Sequence, residues 1–179
     1  MYQRTLILLK PDAYRRSLVG TILARFEQAG LHIEAIRVSE GEDETIEDHY
    51  PRDQEWLRSV GGKTLDDHRA QGLSPLESLG TEDALQIGEV IRLRLVDFLR
   101  SGPVVPAVLS GNRVIEVVRK LVGNTLPVLA APGTIRGDFA SDSTDMANAE
   151  QRPVANLIHA SGDPGEAERE INLWFPRLK

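Results

Sequence analysis

Apolar and polar positions recur along the chain with two different periods, and these periods predict both strands and helices. Residues 5–9 and 104–109 are short aliphatic runs, which are typical of buried strands. Residues 31–38 alternate apolar with polar side chains, as a strand with one solvated face does. A compact apolar run at 156–160 stands before a Ser-Gly-Asp-Pro turn. The pattern therefore predicts four strands.

Helical spacing of apolar residues separates these strands. It predicts helices over residues 17–29, 82–100 and 112–122, each followed closely by a glycine that can end a helix. Ser17 and Asn112 are the residues expected to cap the first and the third of these helices.

The segments between these elements are more polar. Residues 40–47 are acidic and turn-like, and a short helix is expected over 45–50. The glycine-punctuated segment 52–80 predicts loops and brief helices. Residues 124–138 predict an ordered loop of functional length, and 140–152 a surface excursion.

The order of elements is β-α-β, a helical segment, β-α, a loop and β-α. It predicts an α+β sandwich of the split βαβ kind, with an antiparallel or mixed sheet and helices on one face. A chain of 179 residues, 41% of them hydrophobic, is long enough for one well-buried domain and short for two.

Composition excludes several classes of protein. With no cysteine, the chain has neither disulfides nor thiolate chemistry, and its net charge of −6 disfavours a general nucleic-acid binder. Apolar runs are too short for a membrane span or a signal-peptide core, which predicts a soluble, unprocessed protein with the cytoplasm as the default location. A few converging cations could still bind a small anion.

His159 is placed where the fourth strand ends and the C-terminal helix begins. Asp163 can cap that helix, Pro164 takes its first position and Glu166 can complete a capping box. The buried stripe of this helix is expected to be Ala167, Ile171 and Trp174. Two rigid elements would brace the histidine, as catalytic geometry requires, although an ordinary surface histidine fits the same position.

Several polar side chains stand at strand ends, helix ends or in the long loop, and they form a natural set for binding phosphate. Guanidinium groups bind phosphate oxygens bidentately and stay charged. Each residue taken alone is more often ordinary surface charge, and periodicity does not show whether they converge. The set is Lys10, Arg119, Thr125, Arg136, Asn156 and His159.

Glu170 could accept a hydrogen bond from the ring of His159 and fix its tautomer, or it could be a solvated helix glutamate. The other histidines, His32, His49 and His68, have no ligand spacing, which disfavours a zinc or iron site. The Walker A, Rossmann and nucleophile-elbow motifs are absent from the sequence.

Eight motifs, in order from one end of the chain to the other, resemble those of the nucleoside diphosphate kinases. PGTIRGDF at 132–139 and NLIHAS at 156–161 are the most specific of them. The other six are TLILLKPDA, LVGTILARFEQAGL, DHY, SGPVV, GNTLP and EREINLWF.

This resemblance implies a ferredoxin-like sandwich with a four-stranded antiparallel sheet. It also implies ping-pong transfer of the γ-phosphoryl group from a nucleoside triphosphate, typically ATP, to a nucleoside diphosphate, which maintains nucleotide pools. His159 would carry the phosphoryl group, and Glu170 with Ser161 would orient it.

By the same resemblance, Arg119, Thr125 and Arg136 would hold the phosphates. Lys10 and Asn156 would contact the sugar 3′-hydroxyl, with Tyr50 beside them. Magnesium would be bound through the nucleotide phosphates and not by a protein cage. Family members assemble as tetramers or hexamers, which implies a homo-oligomer here.

The chain also departs from the family pattern. It is expected to be one domain, residues 1–179, with an insertion at about 61–100 and a shorter one at about 142–152. Trp56 best matches the aromatic ring that stacks on the base, and Gly162 occupies the place of an acidic residue that usually follows the histidine.

Two alternatives remain. One is a catalytically inactive family member that binds nucleotides or regulates a partner. The other is a ferredoxin-like module that binds nucleic acid or protein, which the acidic balance and the 5% aromatic content disfavour.

Overall fold

Four strands form one sheet in the computed structural model, which describes residues 2–40 and 44–178. They are β1 (Tyr2–Leu9), β2 (His32–Ile36), β3 (Val105–Asn112) and β4 (Ile158–Ala160). Their order across the sheet is β2-β3-β1-β4, and every pairing is antiparallel. The predicted four-stranded ferredoxin-like sheet is therefore confirmed.

Helices account for most of the remaining described chain. They are α1 (Pro11–Arg15), α2 (Val19–Gln28), α3 (Glu44–His49), α4 (Gln54–Ala70), α5 (Pro75–Leu79), α6 (Ala84–Arg100), α7 (Val114–Val122), α8 (Ile135–Phe139), α9 (Thr144–Ala149) and α10 (Pro164–Trp174). A single 3₁₀ turn, Pro127–Leu129, precedes α8. None of the helices described is long and apolar enough to cross a membrane.

Apolar cores cover both faces of the sheet, so the prediction of helices on one face is wrong. In β1, Ile7 and Leu9 pack in a core with residues of α2 and α7. Leu6 and Leu8 point the other way, into a core with residues of α3, α6 and α10. The unbroken run of aliphatic residues 6–9 reflects this burial on two sides, because a strand with one wet face alternates apolar and polar positions.

Residues 52–80 contain the long helix α4, so the prediction of loops and brief helices is wrong for residues 54–70, while α5 is a brief helix as predicted. Asp53 caps α4 by accepting a hydrogen bond from the backbone N–H of Trp56 at 2.8 Å. Gly61 and Gly88 mark the places where α4 and α6 touch backbone to backbone. A Cβ on Gly61 would overlap the carbonyl of Ala84. These glycines permit close packing and do not end the helices.

The shorter segments differ from prediction at their boundaries. The helix expected at 45–50 is present as α3, while the acidic turn expected just before it falls partly outside the described residues, at 41–43. Helix α2 starts two residues after Ser17, and Asn112 ends β3, so neither is the cap that was predicted. The segments 124–138 and 140–152 carry α8 and α9.

The C-terminal helix is capped as the sequence indicates. Oδ1 of Asp163 accepts from the backbone N–H of Glu166 at 2.9 Å. The second hydrogen bond of the capping box runs from the backbone N–H of Gly162 to Oε2 of Glu166, at 2.6 Å. Its donor lies one residue before Asp163, the donor expected for a capping box. The predicted stripe is buried: Ala167, Ile171 and Trp174. This helix therefore starts close to the end of β4 and His159.

Candidate active site

His159 lies in β4 opposite Leu8 of the central strand β1. Its Nε2 is 2.9 and 3.0 Å from the two carboxylate oxygens of Glu170, which is 1% exposed. Ser161 donates to the same carboxylate at 2.7 Å. Because an ionised carboxylate only accepts hydrogen bonds, Nε2 carries the proton and Nδ1 keeps its lone pair.

The ring of His159 is neutral at neutral pH. Burial is the main cause that lowers its pKa, to about 4; Glu166 opposes this shift, and the positive charges of Lys10 and Arg136 add to it. The neutral form is the nucleophilic one, since a protonated imidazole has no free lone pair. Burial raises the pKa of Glu170, while His49 and the hydrogen bond from Ser161 act to lower that pKa.

His49 lies behind His159 and is 1% exposed. The two rings meet edge to face with centroids 4.6 Å apart, and Nδ1 of His49 accepts from the indole N–H of Trp174 at 3.3 Å. Burial and the neighbouring His159 lower the pKa of His49 to about 3, so it stays neutral. Sequence spacing gave no indication of this contact, because α3 and β4 are far apart in the chain.

The side chains of His49, His159 and Glu170 bring three potential metal-ligand atoms within 4.8 Å of one another. Their facing atoms already bond to each other or to Trp174. A metal ion would have to displace these hydrogen bonds, so the arrangement fits the orientation of His159 better than metal binding.

A cleft of about 560 Å³ opens in front of His159. Its volume is typical of a small-molecule site. Six residues singled out in the sequence line it together with the histidine: Lys10, Tyr50, Arg119, Thr125, Arg136 and Asn156. The structure thus brings together side chains from distant parts of the chain.

Lys10 and Asn156 form one unit at the floor of the cleft. Nζ of Lys10 donates to Oδ1 of Asn156 at 2.8 Å, and Nδ2 of Asn156 donates to the carbonyl of Thr125 at 2.8 Å. Burial and the charge of Arg136 lower the pKa of Lys10 to about 8, with Asp12 opposing. The ammonium is therefore protonated at neutral pH and poorly hydrated, which strengthens its attraction for an anion.

The two arginines are held differently. The guanidinium of Arg136, 7% exposed, donates to the backbone carbonyls of Asn156, Gly123 and Ile158 at 3.1, 3.1 and 2.6 Å. Arg119 is exposed, and among the described residues its guanidinium has no hydrogen-bond or ion-pair partner. Arg136 therefore holds three backbone carbonyls of the site in place and adds positive charge to the cleft, whereas Arg119 is free to bind a ligand.

Leu157, two residues before His159, has the unusual backbone φ of 70°. Its N–H donates to Oδ2 of Asp12 at 3.0 Å, and its carbonyl accepts from the N–H of Lys10 at 2.8 Å. Strained backbone of this kind persists only where its surroundings hold it, and it is concentrated at functional sites. Asp12 is thus a supporting residue that the sequence interpretation missed, although the motif KPD contains it.

Trp56 is the one predicted substrate-binding residue that does not line the cleft. It lies in the first turn of α4, packs against the core that contains Tyr50, and has its ring centroid 6.0 Å from that of Tyr50. Ile91 and Leu95, one turn apart on α6, form the apolar wall in its place. The match of Trp56 to the family's aromatic ring spans the segment between Tyr50 and α6, which the long helix α4 occupies.

The comparisons with known proteins agree with this geometry. The family model for nucleoside diphosphate kinase matches residues 3–57 and 90–179 and leaves 58–89 unmatched. Among curated relatives, the nucleoside diphosphate kinase of Pyrobaculum aerophilum is 51% identical over 97% of this chain and 94% of its own. That of Thermobifida fusca is 37% identical over 98% of both chains.

Solved structures give the same answer. The crystal structure of an NDP kinase from Pyrobaculum aerophilum superposes with a TM-score of 0.91 at 49% identity, covering 98% of this chain and 96% of that one. A nucleoside diphosphate kinase from Borrelia burgdorferi, bound to vanadate and ADP as a transition-state mimic, gives 0.76 at 34% identity, with 97% and 87% covered.

Fold and site together define an α+β domain with a neutral histidine beside a cationic cleft of nucleotide size. With these matches, the class becomes specific: the chain belongs to the nucleoside diphosphate kinase family. The comparisons favour an active kinase over the alternative of an inactive nucleotide-binding or regulatory module.

Proposed function

We propose that the chain transfers a γ-phosphoryl group between nucleotides, typically from ATP, through a phosphohistidine at Nδ1 of His159. The observation that carries this proposal is the bond between Nε2 of His159 and Glu170, at 2.9 and 3.0 Å. It holds the proton on Nε2 and leaves the Nδ1 lone pair unprotonated. Ser161 and Glu170 are positioning residues, since they act through the ring.

The reaction has two half-steps. The Nδ1 lone pair of His159 attacks the γ-phosphorus, the bond to the β,γ-bridging oxygen breaks, and the nucleoside diphosphate leaves. A terminal oxygen of a second nucleoside diphosphate then attacks the same phosphorus, and the P–N bond breaks. The loose transition state spreads negative charge over the transferred oxygens, which the cations of the cleft stabilise.

The cleft lining supports the proposed substrate contacts. Arg119 and Arg136 carry charge for the phosphates, with the hydroxyl of Thr125 beside them. Lys10 and Asn156, joined at 2.8 Å, are suited to the sugar 3′-hydroxyl, and Tyr50 lines the same cleft. The base would stack on the apolar surface of α6, at Ile91 and Leu95, and not on Trp56 as first expected.

Magnesium fits this site as a partner of the nucleotide. The acidic residues lining the cleft near His159 are Asp163 and Glu166, and one oxygen of each already accepts a backbone N–H at the start of α10. Their remaining oxygens can accept from metal-bound water. The ion would be held by the phosphates and would supply charge neutralisation.

We also propose a single domain with its two insertions at about 61–100 and 142–152, acting in the cytoplasm as a homo-oligomer, a tetramer or hexamer. The lack of a family-model match at 58–89 is consistent with extra chain in the first of these segments. Light scattering of the purified protein measures the assembly, and a monomeric mass would contradict this part.

Incubation with γ-³²P-labelled ATP tests the mechanism. The wild type should become labelled in an acid-labile form, and added GDP should discharge the label as GTP. His159→Gln should remain unlabelled, whereas His32→Gln, a change in an exposed histidine of β2, should label normally. Labelling of His159→Gln at the wild-type rate would exclude this nucleophile.

A further inference from the structure

Helix α4 contributes one face to the cleft. This face lines the same cavity as Arg119 and Arg136, and its residues are Val60, Lys63, Thr64 and Asp67. All four come from residues 58–89, which the family model does not match. This wall is therefore a feature of this chain that the family pattern does not explain.

The wall is held in place before any ligand arrives. His68, 1% exposed, has Nδ1 2.7 Å from the carbonyl of Thr64 and Nε2 3.0 Å from Nδ2 of Asn148 on α9. Gln71 donates to Oγ1 of Thr144, at the start of α9, at 3.1 Å. With the glycine contacts between α4 and α6, these bonds fix α4 on two sides. A pre-formed wall loses little entropy when it binds a ligand.

Two opposite charges on this face are left unpaired. Lys63 and Asp67 are four residues apart, a spacing that permits a helical ion pair, yet no ion pair joins them in the described part of the chain. On the outer surface of the same helix, Asp66 does pair with Arg69, at 3.2 Å. Burial is the main cause that raises the pKa of Asp67. A donor and an acceptor thus face the cleft together.

The two ends of the cleft suit the two ends of a nucleotide. With the phosphates beside Arg119 and His159, the base extends toward α4, where Ile91 and Leu95 offer an apolar surface to its face. The charged groups of α4 then meet the edge of the base. An apolar face with a few polar groups at its rim is the usual form of a selective small-molecule site.

We propose that Lys63 and Asp67 read the edge of the base and make this enzyme prefer guanine nucleotides. Guanine presents one carbonyl oxygen beside two adjacent N–H donors, so an ammonium can donate to the carbonyl while a carboxylate accepts both N–H groups. Adenine and cytosine turn a ring lone pair toward the carboxylate instead. A site that hydrogen-bonds a base edge rejects analogues lacking those groups.

Acceptor kinetics test this inference, which rests on the proposed function. With His159 first phosphorylated, kcat/KM is measured for GDP, ADP, CDP and inosine diphosphate, which is guanosine diphosphate without the 2-amino group. The wild type should favour GDP over each of the others by about tenfold or more, the value of one charge-assisted hydrogen bond.

The matched variants separate base reading from general binding. Asp67→Asn should bring the ratio of kcat/KM for GDP to kcat/KM for inosine diphosphate close to one. Lys63→Met should lower kcat/KM for GDP and for inosine diphosphate by the same factor, relative to kcat/KM for CDP. Asp66→Asn, its charged neighbour outside the cleft, should keep the wild-type ratios.

Two results overturn the inference. One is that the wild type has the same kcat/KM for all four acceptors. The other is that Asp67→Asn lowers kcat/KM by the same factor for every acceptor. In both cases His159 is still phosphorylated, so the proposed mechanism stands. Failure of phosphorylation by every donor would instead contradict the proposed function itself.

Discussion

Glu170 holds His159 through both oxygens of a carboxylate that is almost wholly buried, at 2.9 and 3.0 Å from Nε2. This one relationship fixes the tautomer, the orientation of the ring and the identity of the nitrogen that faces the cleft. A carboxylate in this place also favours the positive charge that the ring gains once Nδ1 carries a phosphoryl group.

Glu170→Leu should slow phosphorylation of His159 by about 10- to 100-fold, as expected when the partner that fixes a histidine tautomer is removed. Stopped-flow labelling measures the rate, and ¹⁵N chemical shifts of the imidazole report the tautomer, which a purely structural role would not move. Glu168→Leu, an exposed change on the same helix, is the control. An unchanged tautomer in Glu170→Leu would count against the proposed role.

The two cleft arginines should respond differently to removal. Arg119→Ala should slow phosphorylation by about 10² to 10⁴, since it removes an electrostatic stabiliser of the transition state, with little change in stability. Arg136→Ala should show the same slowing and also lose at least about 2 kcal/mol of unfolding free energy, because three backbone carbonyls each lose a hydrogen-bond donor. Urea unfolding and labelling rates measure both. Equal stability of the two variants would contradict the bracing role of Arg136.

Two shifted pKa values predict the pH dependence of the free enzyme. As pH rises through about 4, the low pKa of His159 makes the ring lose its proton and become nucleophilic, so kcat/KM increases. As pH rises through about 8, the low pKa of Lys10 makes it lose its charge, and kcat/KM decreases. The profile should therefore have a plateau around neutral pH.

Lys10→Met identifies the alkaline limb. Its kcat/KM should be lower throughout and should not fall further near the pKa of Lys10, since methionine has no proton to lose. If the alkaline fall persists unchanged in this variant, another group controls it.

The fold was largely predictable because its strands and helices bury continuous apolar patterns. Residues 5–9 and 156–160 predicted the strands that carry Lys10 and His159, and the capping residues predicted the start of α10. Helix α4 was missed because most of its residues are polar and its glycines resemble breaks, although one face of the helix is buried. Backbone contact between helices leaves no distinct pattern in one sequence.

The site was predictable only in part, for a similar reason. Residues at element ends, such as Arg136 and Asn156, were found because their positions and motif set them apart. His49, Asp12 and the cleft face of α4 depend on which elements pack together, which periodicity does not specify. Trp56 was chosen as the best match to the family's stacking ring after Tyr50, and in the structure its ring packs near Tyr50 without lining the cleft.

Adjacent glycines of α4 should respond in opposite directions to the same substitution. In Gly61→Ala, the new methyl group would overlap the carbonyl of Ala84, so α4 must move away from α6, and we expect a loss of about 1 to 3 kcal/mol of unfolding free energy. In Gly62→Ala, nothing lies within 4 Å of the new Cβ, and better helix propensity should add up to about 1 kcal/mol. Urea denaturation of both variants measures the difference. Since α4 forms one wall of the cleft, Gly61→Ala should also raise KM for nucleotides, whereas Gly62→Ala should not. If both substitutions stabilise the protein equally, α4 and α6 are not in backbone contact. The face of α4 proposed to recognise the base would then not be held in place.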